Sequence, residues 1–222
     1  MNGYQVLGLL LLVLFYGAYM TKVFLQKRKG IRTNQLGRAE KKAEANPDAS
    51  PEANLDTKYW GKTKHTLWVE YTTSLANDLM ILALAASVIL NWGSWVPLWV
   101  RISGFFLAGS GCAFFITAII GLRDSWRAGI PEQDSTVFIS QGIYGVSRNP
   151  AFVGFDLLYI GFCLAFFNPV LAVIAILGIG SLHLQILEEE KFLKQRFGVE
   201  YLQYCSRVGR YLKGFGRKGV RS

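Results

Sequence analysis

Apolar residues in this chain gather into long blocks separated by polar, basic stretches, and the blocks exceed what a half-buried soluble helix needs. The first runs from Tyr4 to Leu25, uncharged except at Lys22, and matches the roughly 20 residues that carry a helix across a bilayer. Lys22 lies near its end, where the aliphatic stem lets the ammonium reach the interface. A cleaved secretory signal fits poorly: no basic region precedes the block, and Lys27, Arg28 and Lys29 follow it in place of small residues. Further blocks span about Tyr71 to Leu90, Val96 to Leu122 and Ala151 to Leu187. Asn168-Pro169 divides the last, because proline lacks an amide donor and disfavours helical geometry in the residue before it. The expected fold is an all-α polytopic membrane bundle of about five transmembrane helices with C-terminal cytoplasmic helices.

The connections carry the charge. Gln26 to Thr66 has no hydrophobic period and contains Lys41, Lys42, Pro47 and Pro51, so it reads as a polar cytoplasmic loop, partly disordered. We divide the chain into residues 1–66, a first helix and this loop, and 67–222, a membrane-embedded core. Within the loop, Gly30 to Arg38 is expected to touch lipid headgroups. Asn91 to Trp95 and Asn168-Pro169 carry no charge, whereas the alternate connections hold nearly all the Lys and Arg. By the positive-inside rule the N-terminus is outside and the C-terminus cytoplasmic. A net charge of +9 would put nucleic acid among the partners of a soluble protein; interleaved with apolar blocks, it points to anionic headgroups, and no nucleic-acid partner is expected. Cys112, Cys163 and Cys205 are odd in number and widely spaced, so neither disulfides nor a metal site is expected.

Polar groups inside apolar blocks are costly and therefore informative. Asp78 beside Asn77, Arg101 and Asp156 are expected to hold helices together through polar contacts. Gly104, Gly109, Gly111, Gly154, Gly161, Gly178 and Gly180 are expected to let helices approach closely. Gly109-Ser110-Gly111 sits mid-block with no strand before it, which argues against a nucleotide-binding loop.

Chemistry concentrates towards the C-terminal end. Arg123 to Ile130 is an amphipathic, Trp-bearing interfacial stretch; Gly142-Ile143-Tyr144 and Ser147-Arg148-Asn149-Pro150 follow. Pro150 suits the first position of a helix, where free amides and Arg148 favour an anion; a cytoplasmic loop with one arginine has the same composition. His183 and Glu190 are seven apart and share a helix face, and Glu188, Glu189 and Glu190 stand where that helix leaves the apolar layer. Three carboxylates there suit an ammonium ligand and equally a solvated helix end. Leu193, Phe197, Tyr201, Tyr204, Arg207, Arg210 and Tyr211 alternate apolar and basic character, as in a helix folded onto the membrane surface, with Gly198 ending one helix and starting the next.

Taken in order, Gly142-Ile143-Tyr144, Arg148-Asn149-Pro150-Ala151-Phe152 with Gly154, Glu189-Glu190, Leu193, Phe197-Gly198, Tyr201, Tyr204 and Arg207-Val208-Gly209-Arg210 resemble the isoprenylcysteine carboxyl methyltransferase and phospholipid methyltransferase superfamily, over about the C-terminal half. The resemblance implies a membrane-embedded enzyme using S-adenosyl-L-methionine to methylate a lipophilic acceptor through an oxygen, nitrogen or sulfur nucleophile. It implies that Tyr144, Arg148, Asn149, Pro150 and Phe152 line the cofactor pocket and that Glu189 and Glu190 face it; His183, on the same helix face as Glu190, is expected to bind the cofactor with them. Arg207 and Arg210, with Glu190, are the implied catalytic groups, the arginines orienting an anionic acceptor. Asn149 stands where many members have histidine, and an amide keeps hydrogen bonding but cannot transfer a proton. An NADPH-dependent membrane reductase of the sterol reductase kind and a non-catalytic membrane scaffold are the alternatives; the paired glutamates before Leu193 favour the methyltransferase.

Overall fold

The structure, a computed structural model, describes residues 1–36, 62–130 and 137–212. Most of the polar loop expected over residues 26–66 lies outside them. Among the described residues five α-helices carry the fold: α1 (Gly3–Arg28), α2 (Lys64–Ile89), α3 (Leu98–Gly121), α4 (Pro150–Ala165) and α5 (Pro169–Arg207). All but α4 are long and apolar enough to cross a membrane, and the protein is an integral membrane protein. α4 has 16 residues, hence about 24 Å of rise, less than the hydrocarbon thickness. It is bounded by Pro150 at its start and by the turn at Asn168, whose side chain accepts from the Leu171 amide at 2.8 Å to begin α5. α5 has 39 residues and its path is broken at Gly198; its apolar part before Glu188 rises about 28 Å, enough to span the hydrocarbon, and the charged part from Glu188 projects beyond.

Contacts between distant residues define two ends of the bundle. At one end the Gln5 amide donates to the carbonyls of Val88 and Ile89, both at 3.0 Å, and Arg101 donates to Gly93 while lying over the rings of Tyr4 and Phe166. Arg101 is thus the helix-end tie expected of it. Asn168 donates to Ser87 at 3.1 Å in the same layer. At the other end Thr66 donates to Glu188 at 2.7 Å, and Gln26 donates to the carbonyl of Trp126 at 3.0 Å. The described N-terminal residues therefore sit at the first end, and residues 188–211 at the second.

The closest packing is between α3 and α4, and glycine permits it. A methyl group at Gly104 would lie 2.5 Å from the Gly161 carbonyl oxygen, and one at Gly111 would lie 2.6 Å from that of Gly154. The two backbones touch directly, as small-residue stripes allow in a bilayer. Beside this seam Phe15 and Phe115 stack in the core with centroids 4.3 Å apart, and Phe155 meets both edge-on. Other polar expectations turn out differently. Asp78 is exposed on α2, and it is Asn77 that accepts from Tyr159, at 2.8 Å. Asp156, expected to make a structural hydrogen bond, has a buried Oδ1 with no such partner among the described residues.

Candidate functional site

The second end of the bundle holds a cavity of about 150 Å³. Three stretches build it: residues 122–130 after α3, residues 137–152 leading into α4, and the emerging part of α5 from Glu189 to Tyr204. Its walls are largely aromatic and aliphatic, with Arg148 and Glu189 among its charged lining residues. Phe138 packs against Phe197 and Tyr204 with centroids 5.1 and 5.3 Å apart, closing one side.

The stretch before α4 is held to the end of the chain. The Tyr204 hydroxyl donates to the Tyr144 carbonyl at 2.6 Å, the Arg148 amide donates to Gly209 at 3.0 Å, and the Asn149 side chain donates to the Arg210 carbonyl at 3.1 Å. These bonds require the chain after Gly198 to turn back over the cavity. Gly198 provides the turn, with φ of 49° and ψ of −122°, a left-handed φ that breaks the helical path of α5. As expected, Gly198 ends one helical segment and starts the next, so α5 is two segments meeting at a kink. α4 starts without a side-chain cap, and the Asn149 side-chain NH2 donates to the Arg210 carbonyl and to Glu190. Pro150, Ala151 and Phe152, its first turn, line the cavity.

The two adjacent glutamates part company. Successive residues on a helix are about 100° apart, so Glu189 faces the cavity while Glu190 turns away from it. Glu190 is buried and lies between two guanidinium groups, 3.1 Å from Arg148 and 2.9 Å from Arg210. Arg148 also donates to Cys205, and its Nε is buried without a hydrogen-bond partner among the described residues. Glu189 accepts from Gln185 at 3.1 Å, and burial pushes its carboxyl up to about 7. Glu188 serves elsewhere, bound to Thr66 and Lys191.

Of the residues the sequence singled out, the structure gathers Tyr144, Arg148, Asn149, Pro150, Phe152 and Glu189 around the cavity. Glu190 stands behind it, bound to Arg148. Arg210 reaches Glu190 rather than the cavity lining. Arg207 is exposed and bonds back to Gln203 in its own helix. His183 lies apart, bonded to the Tyr211 hydroxyl with the two rings nearly parallel at 14°. Sequence reasoning passed over Ile130 and Phe138 as lining residues, since neither belongs to a motif. It also passed over Glu70, which falls one residue before the second apolar block; a lone carboxylate at that boundary was the available signal.

The described part of the polar stretch Gly30 to Arg38 also makes a backbone contact with the cavity wall. Gln35 donates to Ala128 at 2.8 Å and Ala128 donates to Thr33 at 3.0 Å, a short parallel bridge onto the cavity wall. The free backbone groups of residues 33–35 find backbone partners there, which an aqueous or headgroup layer would otherwise supply.

Residues 99–200 match a family model described as phospholipid methyltransferase. A protein-S-isoprenylcysteine O-methyltransferase of Saccharomyces cerevisiae is 34% identical over 79 residues, which are 35% of this chain and 33% of the yeast protein. Protein-S-isoprenylcysteine O-methyltransferase A of Arabidopsis thaliana is 30% identical over 149 residues, covering 66% of this chain and 76% of that protein; form B is 26% identical over the same shares. The chain thus spans a third of the yeast relative's length and about three quarters of each plant relative's.

Proposed function

Because the chain belongs to the isoprenylcysteine carboxyl methyltransferase and phospholipid methyltransferase superfamily, we propose that it moves a methyl group from S-adenosylmethionine to a lipophilic acceptor, with the cavity beside α4 and α5 as the donor site. The observation that carries this reading is the pairing of a carboxyl, Glu189, with an arginine, Arg148, whose Nε has no hydrogen-bond partner among the described residues, around one cavity walled by aromatic rings.

The donor set suits that cofactor's chemistry. A sulfonium and an ammonium call for an anion and aromatic faces, which Glu189, Tyr144 and Phe152 offer. A carboxylate calls for a cation and free amides, which Arg148 and the uncapped start of α4 offer. Adenine calls for flat apolar walls such as those of Phe138 and Phe197.

When bound, S-adenosylmethionine supplies a methyl already activated on a positively charged sulfur. The protein's part is then to align and to exclude water. Glu189 holds positive charge beside the first turn of α4. Glu190 keeps Arg148 pointed at the cavity by sharing its charge between Arg148 and Arg210. The aromatic wall keeps water from the reacting atoms. No histidine lines the cavity among the described residues, and Asn149 cannot take a proton, so an acceptor that is already anionic is served best. The acceptor reaches this end from the bilayer, and the end is cytoplasmic, as its surplus of Lys and Arg supports.

Titration of the purified protein by calorimetry tests the reading. S-adenosylmethionine is expected to bind and Arg148→Ala to weaken it at least tenfold, a loss of about 1.4 kcal/mol. Binding of NADPH with none of S-adenosylmethionine overturns it in favour of a reductase.

A further inference from the structure

The cavity wall formed by Trp126 to Ile130 is held from outside the region that matches the family model. Behind it lies a charged pair at complete burial: the Lys62 ammonium is 2.7 Å from the Glu70 carboxylate, with side-chain exposures of 2% and 0%. The other Glu70 oxygen accepts from the Ile130 amide at 2.9 Å, and Lys62 donates to the Gln35 carbonyl at 2.6 Å. One ion pair thus joins the start of α2, the stretch after α1 and the cavity wall. A second buried tie runs parallel to it, with Thr33 donating to Gln26 at 2.7 Å and Gln26 donating to the Trp126 carbonyl. Between the two ties lies the backbone bridge from Asn34 to Ala128. The fit leaves no room at Gly129, whose φ is +90° and where a methyl would stand 2.9 Å from the Leu36 nitrogen.

Desolvating two charges costs several kcal/mol, and an apolar pair of similar volume would serve stability as well or better. What such a pair does supply is a fixed acceptor of defined direction. Here the direction is towards the amide of Ile130, a cavity-lining residue.

We propose that Glu70, held by Lys62, is a positioning residue for the donor site: it fixes the wall from Trp126 to Ile130 against which the cofactor would lie, so that residues 26–36 and 62–70 complete a pocket otherwise built from 122–204. This rests on the cavity being the methyl-donor site. Neither residue lines the cavity, and the contact to its wall runs through the backbone of Ile130.

Two double variants separate this role from plain stability. Lys62→Met with Glu70→Gln removes both charges and keeps an amide oxygen facing Ile130, whereas Lys62→Met with Glu70→Met removes the acceptor too. Equilibrium binding of S-adenosylmethionine is expected to stay within about twofold of wild type in the first and to weaken about tenfold in the second, the scale of one lost buried hydrogen bond. Hydrogen exchange of the peptide containing 126–130, measured without cofactor, is expected to accelerate only in the second. Equal affinity and equal exchange in the two variants overturn the proposal. If wild type does not bind S-adenosylmethionine, the donor-site reading fails, and the exchange difference still decides whether Glu70 fixes the wall. If the Met double variant does not fold, Lys62→Met alone tests the same contact by removing what holds Glu70: faster exchange at 126–130 is expected, and unchanged exchange overturns the proposal.

Discussion

Two neighbouring carboxylates, one residue apart, have opposite surroundings. Glu190 is shared by Arg148 and Arg210, so Glu190→Gln leaves two guanidinium groups without their counter-ion; a loss of about 3 kcal/mol is expected, read as a lower melting temperature together with weaker S-adenosylmethionine binding. Glu189→Gln is expected to leave the melting temperature unchanged and weaken binding alone, since its carboxyl faces the cavity. Burial holds that carboxyl at about 7, and a bound cation favours its ionised form. Below that pH the carboxyl carries a proton that binding must displace, so the dissociation constant is expected to rise about tenfold per unit as pH falls and to level off above. Calorimetry from pH 5.5 to 8.5 in wild type and in Glu189→Gln checks this; a slope that survives in the variant assigns the titration to another group.

Among elements, the seam between α3 and α4 determines where the site starts. It places the first turn of α4 beside the end of α3, and Pro150 to Phe152 with it. Gly161→Ala would set a methyl 2.5 Å from the Gly104 carbonyl oxygen, and backbone cannot yield as a flexible side chain can. A destabilisation of about 1–3 kcal/mol is expected, measured by thermal unfolding in detergent. Gly109→Ala is the matched control, with nothing within 4 Å of the added methyl, and is expected to be neutral or slightly stabilising. The kink at Gly198 is the second element-scale device. Without it α5 would continue straight away from the bundle, and Tyr204 would not reach Tyr144.

At the scale of the whole molecule the two ends of the bundle differ in charge. The end with Gln5, Gly93 and Asn168 carries Arg101, tied to a carbonyl and two rings, whereas the cavity end bears Lys29, Arg127, Arg148, Lys191 and Arg210. With the described N-terminal residues at the first end and Arg210 at the second, reporters fused to the two termini are expected on opposite sides of the membrane, the C-terminal one in the cytoplasm. Reporters on the same side contradict the topology. The surplus of positive charge at the cavity end also predisposes it to anionic headgroups.

The apolar blocks, the break at Asn168-Pro169 and the ordered motifs from Gly142 to Arg210 were readable in the chain itself, because bilayer thickness, proline geometry and motif spacing are local properties. Hence the helical membrane bundle could be anticipated, and so could the gathering of Tyr144, Arg148, Asn149, Pro150 and Phe152 at one place. Which partner each polar group takes could not, since it depends on helix rotation and on contacts across 20 to 120 positions. Glu190 meets Arg210 and Arg148 only once α5 is kinked and the chain end has folded back; Glu70 meets Ile130 only once α2 stands beside the turn after α3. Periodicity places side chains on a face, and tertiary packing chooses what that face meets.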